Sequence, residues 1–226
     1  MARLRMTLLL LLALSPSLVG QDEPGDRGIP GEALRRRQQE VAAVQARSPD
    51  PATQLEALRL LGGFIGRGDE SFRRENEAIL SYILLPPRGE ESPARQGSFA
   101  QVRIEAARLA GELDSPRAAD ILLELLKEEE DPAVLSQAVR SLSSTDHLDP
   151  GYLASRFGQL LARENVSSRL DSRLATALIN GAAELYKAWG ADDPLLVRAV
   201  LEARELPYSR EARQAAVAFV ELVLEG

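Results

Sequence analysis

The sequence contains no cysteine. Disulfides and thiolate metal sites are therefore excluded, as is a lipid anchor carried on cysteine. Aromatic residues make up only 4% of the chain, with a single Trp, and there is a single His, His147. One imidazole in a turn gives no credible Ser-His-Asp arrangement. Positive charge is in deficit. The formal net charge is -7, and without residues 1–20, which carry only Arg3 and Arg5, it becomes -9 (25 minus 34). A nucleic-acid partner calls for a basic footprint, so none is expected. The G-x-S-x-G and P-loop patterns are also missing.

The residues that are abundant point one way. Leu, Ala, Val, Arg and Glu dominate, and most of these are good helix formers, while the β-branched and aromatic residues that favour strands are few. The composition predicts an all-α protein. At the N-terminus, residues 1–5 are basic, 6–14 are apolar and 15–20 are small. That order predicts a cleaved signal peptide over 1–20 and an exported chain, periplasmic or secreted. The apolar run is too short for a bilayer, which needs about 20 residues, and no later segment could serve after cleavage. Residues 21–31, rich in Pro and Gly, read as a flexible linker, and 86–98 as a mobile loop.

Five dipeptides mark helix starts: Asp50-Pro51, Ser115-Pro116, Asp131-Pro132, Asp149-Pro150 and Asp193-Pro194. In each, the Asp or Ser side chain can accept from a free backbone N–H, and the Pro stands where a missing N–H costs nothing. Apolar residues recur between these marks at helical spacing, for example Val102, Ala106, Leu109 and Leu113. The pattern predicts a helix over about 32–47, pairs near 51–66 with 70–85, 99–113 with 116–129, 132–144 with 150–164 and 168–188 with 194–205, and a closing helix over about 209–225. Such short amphipathic helices are stable only when packed together.

The helices also repeat. A shift of 32 residues aligns Val102, Ala106, Ala110 and Gly111 with Val134, Ala138, Leu142 and Ser143, and Leu55–Gly62 gives a third copy. Small residues let first helices approach closely, and Gly or Ser near their ends suggests a sharp turn into a Leu-rich second helix. The stretch VRIEAARLAGELDSPRAADILLELLKEEEDPAVLSQAVRSL resembles HEAT repeats, whose motif runs D-x-x-V-R-x-x-A-x-x-A-L-G. Leu135 stands where the motif has Arg, and Ser143 where it has Gly. The resemblance is clearest over 98–145 and is most like the exported HEAT-repeat proteins of bacterial envelopes, spirochaetes among them. It implies an all-α, right-handed, armadillo-type α-solenoid of stacked antiparallel helix pairs over residues 32–226. Members that hold iron through paired His-Glu motifs need several histidines, which this chain lacks.

The signal peptide, the repeats and the lack of catalytic groups together predict a non-enzymatic protein-binding or scaffolding module without cofactor or metal. A HEAT-like enzyme of lyase or glycosylase type and a cell-wall-binding module are the alternatives. Second helices of such solenoids normally line the concave, partner-binding side, where this sequence places Arg73, Arg74, Glu77, Glu124, Arg156, Gln159 and Arg163. Their mixed signs suit a protein or peptide better than a polyanion, although the same residues would simply coat a solvated face. Tyr186 and Trp189 form a candidate aromatic anchor, with packing against the next helix as the commoner role. His147 with Asp146 and Asp149 offers metal ligands, but a solvated turn with Asp149 as cap is favoured. The run Glu128-Glu129-Glu130-Asp131 reads as a solvated helix end rather than a calcium loop. Asn165-Val166-Ser167 reads as a glycosylation acceptor or a helix break.

Overall fold

The computed structural model describes residues 31–68, 70–86 and 99–225. The signal peptide, nearly all of the linker and all but the first residue of the 86–98 loop lie outside these residues. Ten α-helices occur among the described residues: α1 (Gly31–Gln45), α2 (Pro51–Ile65), α3 (Arg73–Leu84), α4 (Ala100–Leu113), α5 (Pro116–Glu128), α6 (Pro132–Leu142), α7 (Pro150–Asn165), α8 (Ser172–Trp189), α9 (Pro194–Glu205) and α10 (Arg210–Glu225). A short 3₁₀ turn, Glu70–Phe72, leads into α3.

All five expected capping residues do that work. Asp50, Ser115, Asp131, Asp149 and Asp193 each accept a backbone N–H from the first turn that follows, and Pro opens each of these helices. A sixth cap, Asp171, accepts from Arg173 and Leu174. It starts α8 later than the apolar pattern alone suggests.

The helices form two layers. In the first, α2, α4, α6, α8 and α10 pack in succession. Small buried residues, including Ala57, Ala106, Ala110, Ala138, Ala175 and Ala182, permit that approach. The second layer holds α1, α3, α5, α7 and α9, and contributes larger side chains such as Ile121, Leu125, Phe157 and Leu161 to the shared core. This is an all-α solenoid.

Two expectations about its joints need correction. Gly111 lies inside α4 and makes no turn; a Cβ there would sit 2.7 Å from the Ser141 Cβ and Oγ of α6. Its bareness allows α4 and α6 to meet, and the turn falls to Asp114, in the left-handed region at φ 44°. Second, each second-layer helix packs most closely on the first-layer helix that follows it: α1 on α2, α3 on α4, α5 on α6, α7 on α8 and α9 on α10. Of the expected pairs only α4/α5, joined through the tight Asp114–Ser115 turn, is comparably intimate. The connections over 66–72 and 143–149 carry α3 and α7 onward to the next first-layer helix.

Spacing also differs between the layers. The backbones of α7 and α9 are close enough that a Cβ on Gly158 would lie 2.7 Å from the Leu196 nitrogen. By contrast, α1 and α3, and likewise α5 and α7, barely approach each other. No described helix is long and apolar enough to cross a membrane.

Candidate functional site

In the helix end over residues 128–131, Glu128 and Glu130 are exposed as expected, but Glu129 turns inward into a buried joint. The Arg103 Nε donates to Glu129 Oε2 at 2.7 Å, and the two side chains are 6% and 10% exposed. Glu129 Oε1 also accepts from the backbone N–H groups of Glu130 and Asp131, at 2.9 Å each. The carboxylate thus ties α4 to the turn that starts α6. Asn165 is likewise committed. Its amide donates to the Ala199 carbonyl at 2.8 Å and its oxygen accepts from the Tyr208 hydroxyl at 3.0 Å. At 8% exposed, it is no accessible glycosylation acceptor. Burial, with Glu164 and Asp171 nearby, pushes the Tyr208 phenol well above its ordinary range.

His147 keeps one of its two expected partners, Asp146, and exchanges the other. Asp149 is occupied in capping α7. The imidazole instead bridges Asp114, whose carbonyl and carboxylate lie 3.0 and 3.3 Å from Nε2, and Asp146, 3.5 Å from Nδ1. Three ligand-type atoms fall within 4.8 Å of one another. The two carboxylates address different ring nitrogens, an arrangement that links two turns rather than converging three donors on one point.

Glu124, Arg156 and Gln159 gather where α5 faces α7. Arg156 donates through Nη1 to Gln159 Oε1 at 2.8 Å, while its buried Nε has no partner. Glu124 holds Lys127 at 2.7 Å. That hydrogen bond raises the Lys127 ammonium above its ordinary range, and the same ammonium feels the Tyr152 phenol and Arg156 across the gap. Lys127 and the exposed Tyr152 therefore belong to this cluster, although sequence reasoning passed over both. Arg163 stands exposed on the last turn of α7.

The α3 residues are divided among other tasks. Glu77 accepts the Ser115 hydroxyl at 2.6 Å while Ser115 caps α5, so Glu77 serves a helix joint. Arg73 pairs with Glu70, and Arg74 is exposed. At the end of α8, Tyr186 lies edge-on to Phe219 of α10, with ring centroids 6.5 Å apart, and is built into that interface. Trp189 remains 46% exposed.

Another pair escaped the sequence reading altogether. Gln39 of α1 donates to Asn76 of α3 at 2.8 Å, and both are buried. The signal was available, because Gln39 and Asn76 occupy core positions of their helices' apolar stripes, with Ala42 and Ala46 following one and Ile79, Leu80 and Ile83 the other.

The sequence similarity agrees with the helix layout. No curated protein and no solved structure matches the chain. Residues 93–178 match the family model for HEAT repeats.

Proposed function

We propose that the chain is a non-enzymatic protein-binding or scaffolding module, exported to the periplasm or envelope, that uses its second-layer face. The observation that carries this reading is the cluster across α5 and α7. Glu124, Lys127, Tyr152, Arg156 and Gln159 stand there on two helices that barely pack against each other. Side chains of both signs, one exposed aromatic and an unpartnered Arg156 Nε offer a complementary protein surface more than a site for bond-making chemistry. The apolar leader of the sequence supports export.

Affinity capture from envelope extract, read by mass spectrometry, tests the proposal. The expected result is a reproducible partner lost on Arg156→Glu with Arg163→Glu. A partner that survives this reversal moves binding away from α5 and α7. No specific partner at all overturns the module reading.

A further inference from the structure

Between α1 and α3 the second layer opens into a groove of about 500 Å³. Its lining is apolar at the base, with Ala43, Ala46, Phe72, Ile79 and Tyr82. Arg47 lies over the Tyr82 ring, 5.6 Å from its centroid. Glu40 lines the groove from α1 and Glu75 from α3, and neither carboxylate has an ion-pair partner among the described residues, whereas Arg36, which also lines it, is paired with Glu32. Where the two helices do touch, Gln39 and Asn76 are 5% and 1% exposed. Their single hydrogen bond leaves the Gln39 Oε1 acceptor and the Asn76 Nδ2 donor buried and unpaired.

We propose that this groove binds a segment of a partner protein in which apolar side chains alternate with Lys or Arg. The apolar base accepts the former. The opposed carboxylates of Glu40 and Glu75 receive the latter, on a chain whose overall charge is -7. The inference rests on the protein-binding reading above and adds a second site with its own chemistry.

The test is fluorescence anisotropy of the full chain with two short fluorescein-labelled peptides, one alternating Leu with Lys and the other Leu with Glu. The Lys peptide is expected to bind and the Glu peptide not to. Glu40→Lys with Glu75→Lys should weaken the Lys peptide about tenfold or more. Ala43→Trp, which fills the groove, should abolish binding while circular dichroism shows the chain still folded. Glu221→Lys with Glu225→Lys makes the same charge change on α10 and should leave binding intact. Equal loss in that control, indifference to the groove variants, preference for the Glu peptide, or no binding of either peptide overturns the proposal. So does sedimentation showing a dimer that Glu40→Lys with Glu75→Lys dissolves, because the occupant is then a second copy. If envelope partners are lost with Arg156→Glu and Arg163→Glu but kept with the groove variants and neither peptide binds, the module reading stands and the groove proposal falls.

Discussion

Removing the Glu129 carboxylate should be among the most damaging single changes in this protein. Arg103 and Glu129 are 6% and 10% exposed, so Glu129→Ala takes a carboxylate partner from a guanidinium in a nearly dry interior. Breaking a buried pair from one side costs about 3–5 kcal/mol. At about 2–4 °C per kcal/mol for a chain of this size, the melting temperature should fall by about 6–20 °C. Glu129→Gln keeps an oxygen for the Glu130 and Asp131 N–H groups but sets an amide NH2 where Oε2 accepts from Arg103, so it should lose most of what Ala loses. The decisive variant is Arg103→Met with Glu129→Leu. Replacing both charges with apolar groups of similar volume removes the buried ion together with its partner and should recover most of the loss. Thermal and urea melts followed by circular dichroism give all four values. A cost below about 1 kcal/mol for Glu129→Ala, the level of an exposed pair, would refute the reasoning. So would a double variant as unstable as the sum of its singles.

Other perturbations follow from the same geometry. Gly158→Ala places a Cβ within 2.8 Å of Leu196 backbone atoms, and because neither backbone can yield locally, urea melts should show a loss of about 1–3 kcal/mol. Asn165→Ala leaves the Tyr208 hydroxyl and the Ala199 carbonyl without their partner, which should cost about 1–3 kcal/mol in the same assay. The Arg108 hydrogen bond holds the Glu105 carboxyl below its ordinary 4.5. A lowered folded-state value means the stabilisation is present above pH 4.5 and lost as pH falls through the folded value. After solvent screening it should amount to about 0.5 kcal/mol. Melts of Glu105→Gln across pH 3–6 should therefore converge with wild type at the acid end and separate above it.

The layout was legible wherever chemistry is local. A capping Asp followed by Pro acts on its own next turn, so five helix starts could be read directly, and residues repeating at helical spacing fixed the buried stripes. The errors concern partners distant in sequence. Gly111 reads as a turn because glycine commonly ends helices, yet its neighbour is Ser141, thirty residues away in the chain. Glu129 sits in an acidic run that looks solvated, and only the arrival of Arg103 from α4 makes it a buried joint. His147 was matched with its sequence neighbours Asp146 and Asp149; Asp146 does face it, but in place of Asp149 the fold supplies Asp114 from the turn between α4 and α5. Of the candidate residues, Arg156 and Gln159 are hydrogen-bonded to each other and Glu124 to Lys127, whereas Glu77 is taken up by Ser115 and Tyr186 by Phe219. Sequence periodicity says which face a residue occupies and is silent on which side chain from another helix claims it.

The unequal spacing of the two layers has a mechanical consequence. The first layer is a close-packed spine from α2 to α10, so a change in its length would have to break tight interhelical contacts at every step. The second layer is interrupted between α1 and α3 and between α5 and α7, and at these places the stack can bend about the spine while few contacts are lost. The softest deformation of the molecule is then one that widens or narrows those two gaps. Since both gaps carry the surfaces assigned to partners, a segment wedged into either would also set the curvature of the whole rod, and small-angle scattering would record occupancy as a change of shape.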